Sequence, residues 1–478
     1  MIQYSAPYIA GLSQEHRDAV TRLLGVIQRK APRHRLRLRY YDHKQALKDF
    51  QIALPPTLKH IEAVLGWPAK SVDSMVNRTI LDDWNLPDGL SAEDLGLDVI
   101  YESNRLDTEI PAGLTTSLVH SVSFGFVSAG DGSMGEPESM LLIRSPEWAT
   151  GTWDARRRCI SEALSILSVD DQGEVEAMAL YVPNAVVIMR RDGRRWELSQ
   201  VSHDLGVPVE PIPFRPLPPA RPFGSSRISR PVMYLTDAAV RTFLRTEVSA
   251  EFYNSPQRYA LGADDDAFAD PATGEKIPGW KVILGHLLTM SRDEDGNLPE
   301  VGQFTQQSMQ PNESHFRMIA QAFSAESNLP LRSLGVVGDN PESAESQRQA
   351  EREFALSITN WQQTALTPAF KRLMTNALRI HDDSPAARSV YRRMMPHWKR
   401  PDTVSPAEAA DAVVKLNAAI PGFGATEVGL EMAGLEPQQI ERFLAEQRRQ
   451  QSRQSILALA GSARWENYPG GPGDGDAG

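Results

Sequence analysis

The side chains best able to do chemistry are acidic and fall in two short runs, Asp264-Asp-Asp266 and Asp293-Glu-Asp-Gly-Asn297. If folding brought them together, such carboxylates could hold two divalent cations and activate a water for hydrolysis of a phosphodiester. The second run also has the oxygen-rich spacing of a calcium loop, but no Glu stands at the twelfth position to close the shell. A solvated hairpin tip is its competing reading. His381-Asp-Asp383 has no second histidine nearby and suits a helix end with free carboxylates. Cys159 is the only cysteine, so neither an intrachain disulfide nor a cysteine metal cluster can form. It follows Arg156-Arg-Arg158, a setting that could depress a thiol pKa, whereas a lone cysteine is more commonly a small core residue. The phosphate-binding loop, the serine nucleophile elbow and the two-histidine zinc helix are all absent. These patterns assign no catalytic residue, no metal ligand and no cofactor.

Basic side chains offer the other chemistry, contact with phosphate. Lys30, Arg33, Arg35, Arg37, Arg39 and Lys44 cluster within one segment, yet their alternation with Leu36 and Leu38 equally describes an exposed helix face. Arg190, Arg191, Arg194 and Arg195 flank an Asp-Gly hairpin turn. The formal net charge of −11 argues against gripping nucleic acid by bulk charge. It is compatible with a surface past which a polyanion slides without strong phosphate pairing.

Two helices must position the most unusual segment of the chain. Phe316, Ile319, Ala320 and Phe323 recur at helical spacing, with Asn312 expected as the N-cap. The apolar run 328–338 cannot continue that helix, because Pro330 lacks an N–H and Gly335 and Gly338 loosen the backbone. Helix is expected to resume with Asn340 as cap and Pro341 in the first turn. Phe354, Ile358, Trp361 and Ala365 then form a buried stripe up to Pro368, where a kink is expected. A second long helix is expected over 229–253, with Val232, Leu235, Ala239 and Phe243 on its packed face and Pro256 barring continuation. Earlier, residues 11–85 read as helical around Leu12, Ala19, Leu23, Leu24 and Ile27, with a loop at Pro55-Pro56. Segments 119–127, 139–144, 177–182, 185–190 and 195–201 suit strands. The proline-dense stretch 208–222 reads as an extended strap without regular structure.

The order of these segments resembles the portal proteins of tailed double-stranded DNA bacteriophages, over about residues 10–445. Arg39-Tyr40-Tyr41 followed by Asp42-His43 resembles an early Tyr-Tyr-x-Gly of that family, with His43 in place of glycine. Asn104 to Asp107, with Gly113 and the strand that follows, resembles the start of the family's wing. Gly224-Ser-Ser-Arg-Ile-Ser229, a helix, and Glu251 to Arg258 resemble its passage from wing to stem. The resemblance implies an α+β fold: N-terminal helices and an α/β wing over 1–226, a first stem helix over 227–256, and a small α+β clip over 257–311. A second stem helix would occupy 312–327, a tunnel loop 328–345, a long kinked helix and wing return 346–400, and a helical crown with a disordered tail 401–478. Asn328, Leu331, Arg332, Leu334, Val336 and Val337 would then face a DNA channel, and Val232, Leu235, Ala239, Phe243, Phe316, Ile319 and Phe323 would pack the stem.

As partners the resemblance implies a homo-oligomeric ring, usually dodecameric, at one capsid vertex of the virion. Double-stranded DNA, the terminase large subunit, major capsid and scaffolding proteins, and a head–tail adaptor complete the set. Such a subunit is made in the host cytoplasm and performs no bond chemistry. Composition agrees with a soluble chain, 41% hydrophobic and 23% charged, without a signal peptide or membrane segment. At 478 residues it has room for two to four domains. Two rival readings remain open: a metal-dependent nuclease or hydrolase using the Asp runs, and a monomeric adaptor or scaffold protein with 208–222 as a true linker.

Overall fold

The computed structural model describes residues 2, 4, 7–45, 63–87, 89–193, 195–254, 258–261, 300–303, 308–336, 344–402, 406–435 and 437–463. The chain divides into a unit of residues 1–401 and one of residues 402–478. In the first, helix α1 (Gln14–Tyr41) opens with Ser13, whose hydroxyl accepts from His16 N at 3.2 Å. Ala19, Leu23, Leu24 and Ile27 are buried on one face, as their spacing predicts. Next come α2 (Trp67–Val76), strand β1 (Leu81–Asn85), α3 (Leu97–Ser103) and α4 (Leu106–His120).

Strands β2 (Val122–Ala129), β3 (Ser139–Arg144), β4 (Ala149–Asp154), β5 (Cys159–Val169), β6 (Val175–Val182), β7 (Ala185–Asp192), β8 (Arg195–Ser202) and β9 (Val209–Pro213) form two antiparallel sheets. β4 to β8 make a five-stranded meander, and β3-β2-β9 a three-stranded sheet. Along β6, Met178 and Leu180 join the core shared with α1, while Ala179 and Tyr181 join the core shared with β2 and β9. Both faces of β6 are covered, so its sequence is almost continuously apolar. β2 divides its side chains likewise, with Val122, Phe124 and Phe126 facing the meander and Val127 facing the helical core. Gly125, on that second side, lies where a Cβ would come within 2.5 Å of Leu373.

Several expectations need correction. The segment 119–127 is not strand from its start, because Val119 and His120 still belong to α4 and Ser121 turns the chain at φ 95. The stretch 208–222 is not wholly irregular, since Val209–Pro213 pairs with β2. β9 is an edge strand, so Pro211 and Pro213 cost no ladder bonds to a further strand. Strands β4 and β5 lie in sequence not expected to be strand, and β1 lies at the end of the stretch 11–85 that read as helical.

Helix α5 (Arg230–Asn254) leads to an antiparallel pair, β10 (Arg258–Leu261) with β11 (Glu300–Gln303). Helices α6 (Gln310–Ser327), α7 (Ala344–Trp361), α8 (Thr367–His381) and α9 (Pro385–Arg393) follow, then β12 (Met395–Trp398), which pairs with β1. Phe354, Ile358, Trp361 and Ala365 are all buried. The expected break at Pro368 takes the form of a π-turn over Gln362–Leu366, which leaves Pro368 in the first turn of α8. Asn312 is not a cap: Pro311 occupies the first turn and Met309 the cap position. Asn340, Pro341, Pro55-Pro56, Arg194, Asp264–Asp266 and the run 293–297 lie outside the described residues, as does 262–299 of the expected clip.

The unit of residues 402–478 holds α10 (Pro406–Ala419), α11 (Glu427–Met432) and α12 (Pro437–Ala463). Thr426 caps α11 by accepting from Gly429 N at 3.1 Å. Among the described residues no helix is long and apolar enough to cross a membrane.

Where α1 meets α4, His34 and His120 stack edge to face at 5.1 Å and are 2% and 3% exposed. Burial, followed by neighbouring cations, lowers His34 to about 3 and His120 to about 4. His120 lies 4.0 Å from Glu147, but burial pushes both groups toward their neutral forms, so this is a contact and not an ion pair. The unfolded chain therefore takes up protons first, between the ordinary imidazole value and these lowered ones. Stability is full above about pH 6.5 and falls as pH descends through that window. Between pH 7 and pH 5 each imidazole is expected to cost about 2 kcal/mol. Urea midpoints at the two pH values should differ less for His34→Phe than for the unaltered chain; equal differences would refute the assignment.

Candidate functional site

Helix α6, which leads into the apolar loop, pairs with α5; each is built from sequence with one packed face, and the two run antiparallel. Near one end, Ser229 of the turn before α5 donates to Glu326 of α6 at 3.4 Å; near the other, Asn312 of α6 donates to Ser249 of α5 at 3.4 Å. Thr242 and His315 meet midway at 3.2 Å. Val232, Ala239, Ile319 and Phe323 are buried between and beneath the helices, and Leu235 and Phe316 are partly buried. Phe243 departs from expectation. It is 46% exposed, and its ring meets Phe316 only at 6.4 Å, because the buried position next to it is taken by Leu244.

The pair is joined to the rest of this unit by side chains that periodicity does not single out. Trp67, at the start of α2, stacks on Phe316 at 5.4 Å and on Phe323 at 5.1 Å. Arg227, in the turn before α5, is 6% exposed. Its Nε donates to the Ser71 carbonyl of α2, and its Nη2 to the Ser327 carbonyl in the last turn of α6, each at 2.7 Å. Its guanidinium lies 5.9 Å from the Phe354 ring of α7. Burial, then Arg215, lowers it to about 9, which leaves it charged at neutral pH. The only sequence signal for Arg227 is an arginine enclosed by small residues in Ser225-Ser-Arg-Ile-Ser229.

The Tyr-Tyr motif acts at the same junction. Tyr40 donates to both oxygens of Asp237 on α5, at 3.0 and 2.9 Å, and Tyr41 donates to Asp73 on α2 at 2.9 Å. Burial raises both phenols, Tyr41 to about 12, and the adjacent carboxylates add to the shift. His43 has φ 58, the left-handed conformation that a glycine adopts without strain.

The loop itself starts at Asn328, which closes α6 at φ 51. Ser324 holds the Leu329 carbonyl at 2.6 Å, and Leu329 is buried. Leu331–Leu334 form one turn of 3-10 helix, ended by Gly335 at φ 77. Leu331, Leu334 and Val336 lean on the helical core but remain partly exposed, and Arg332 is exposed. The loop is therefore rooted in the core, with Leu331, Leu334 and Val336 only partly covered. Val337 lies outside the described residues. A cavity of about 240 Å³ separates the turn from α7, lined by Asn328, Arg332, Ala350 and Glu353 among others. Among the described residues no group of three or more His, Cys, Asp or Glu side chains could hold a metal ion.

The family described as phage portal protein, SPP1 Gp6-like, matches residues 22–453, and the chain belongs to it. The portal proteins of Mycobacterium phages L5 and D29 are each 28% identical over 384 residues, covering 79% of this chain and 77% of theirs. Among solved structures, a chain from the neck of an empty gene transfer agent particle, computed with C6 symmetry, overlays at TM-score 0.40. Its identity is 14%, with 78% of this chain and 90% of that one covered. A chain from the neck of the native particle, computed with C12 symmetry, overlays at 0.38 with 13% identity, covering 76% and 86%.

Replacing Arg227 by Met removes two charge-assisted bonds and leaves the Ser71 and Ser327 carbonyls without their donor. The expected loss is about 3 kcal/mol, measured as a lower urea midpoint. Arg227→Lys should recover part of it, since one ammonium cannot span both carbonyls as the planar guanidinium does.

Proposed function

We propose that this chain is the subunit of a closed ring at one capsid vertex of a tailed phage, through which double-stranded DNA is packaged and later ejected. The ring would contain about twelve copies, joined by heterologous contacts in which one surface of a subunit meets a different surface of the next. In this reading α5 and α6 are the stem, the segment between them the clip, and 328–345 the tunnel loop. The wing spans 1–226, and the crown begins at 401.

The observation that carries the reading is the hairpin's outer surface. Tyr234, Phe243 and Met318 are 65%, 46% and 56% exposed, so the hairpin keeps large apolar side chains available for neighbouring copies. At its root, Leu331, Leu334 and Val336 offer apolar contact to passing DNA, without the charge pairs that would act as a salt-sensitive brake. The terminase large subunit would dock at the clip, and the head–tail adaptor would bind after packaging. Major capsid and scaffolding proteins would surround the ring during head assembly. The subunit needs no cofactor for this work and performs no bond chemistry.

Purified protein should give rings with a central channel in negative-stain images and a mass near twelve subunits by native mass spectrometry. Shortening the loop through residues 331–337 should leave those rings intact while packaged DNA per head drops to background. Normal packaging by that variant would overturn the channel role of the loop.

A further inference from the structure

A cavity of about 630 Å³ lies away from the hairpin, between β1 and the α3–α4 corner. Asp82, Asp83, Asp98, Glu102 and Asp107 line it against a single guanidinium, Arg105. Asp83 accepts from Trp84 N at 2.7 Å, and no salt bridge among the described residues neutralises the other four carboxylates. The excess is not arranged for a metal ion. Its walls are apolar and aromatic, with Leu81, Trp84, Leu97 and Tyr101. Trp84 is 7% exposed, and its buried indole N–H has no acceptor among the described residues. Carboxylates over aromatic faces suit arginine, whose planar cation pairs with the first and stacks on the second.

The chain contains one run of three consecutive basic residues, Arg156-Arg-Arg158. It forms the tight turn between β4 and β5, where Asp154 accepts from the backbone N–H of Arg156 and Arg157 at 2.9 and 3.0 Å. All three arginines are exposed, and none forms a salt bridge among the described residues. The turn flanks the core between the two sheets, whereas the cleft flanks the helical core. The molecule thus carries an unneutralised acidic cleft on one core and a preformed arginine turn on another.

We propose that the acidic cleft of each subunit receives the Arg156–Arg158 turn of a second copy of this chain, forming a charged contact between neighbours in the ring. The inference rests on the ring reading above. It assigns the two halves of the heterologous contact to different surfaces of the subunit. Complementary charge of this kind chiefly sets register and the rate of encounter. Assembly should therefore weaken as salt rises.

The test uses the full chain in three forms: Asp98→Lys with Glu102→Lys, Arg156→Glu with Arg157→Glu, and all four together. Native mass spectrometry over a concentration series reads the ring fraction, and thermal unfolding of the monomer checks that each variant folds. Either reversal alone is expected to raise the concentration for half-assembly about tenfold or more, and the fourfold swap to restore it to within about threefold. Rings from the unaltered chain with unchanged assembly of the reversals would overturn the docking alone. Two defective reversals that the swap does not rescue would also overturn the pairing. An unaltered chain that stays monomeric at every concentration and salt would overturn the ring reading with it. If a reversal fails to fold, the milder Asp98→Asn with Glu102→Gln replaces it, and unchanged assembly of that variant would overturn the docking.

Discussion

A buried guanidinium must find acceptors, and Arg227 finds them in three directions. Its two donors end on carbonyls of α2 and of the last turn of α6, and its face lies over Phe354 of α7. Its own backbone N–H reaches the Leu118 carbonyl of α4 at 2.8 Å. The last turn of a helix leaves carbonyls without intrahelical partners, and a cation there is favoured by the helix dipole as well. One residue therefore joins four helices at the point where the chain leaves the sheets for the hairpin. Loss of any of these partners would leave a desolvated charge, so their relative placement is strongly constrained.

The same constraint explains why the junction is so polar for a buried place. Asp237 and Asp73 are held by the hydroxyls of consecutive tyrosines, which ties the end of α1 to α5 and to α2. Trp67 packs apolar surface against α6 beside them. The hairpin is thus anchored at its root, and its outer face keeps exposed tyrosine, phenylalanine and methionine. The loop leaves from that anchored end: Ser324 and buried Leu329 fix its first residues, and the turn beyond stays half-covered. A root held this firmly lets a short apolar turn present itself in a defined position, which a loop between loosely packed helices could not do.

Much of the architecture was legible in residue spacing. The α1 face, the α7 stripe and the bounds of β3 follow from periods of 3.6 and 2, because one side of each element is buried and the other wetted. The period failed where burial was two-sided or where the chain turned without warning. Val119 and His120 read as the start of a strand because α4 is covered on more than one side and passes into β2 through a single residue. Val209–Pro213 read as strap because two prolines argue against a strand, and only the sheet order reveals it as an edge. Phe243 read as packed because its spacing fits, yet it is 46% exposed while Val240 and Leu244 beside it are buried.

By itself the sequence determined most of the helices, several of the strands, and that an apolar loop separates two helices, since these depend on local propensity and on the side of each element that must avoid water. It also determined family membership, carried by the order of motifs along the chain. Only the tertiary structure decided that Arg227 joins four helices, that two histidines are buried against each other, and that five carboxylates share one cleft. Those facts depend on residues far apart in the chain meeting at close range. Charge and burial act through distance in space, and no spacing along the chain encodes that distance.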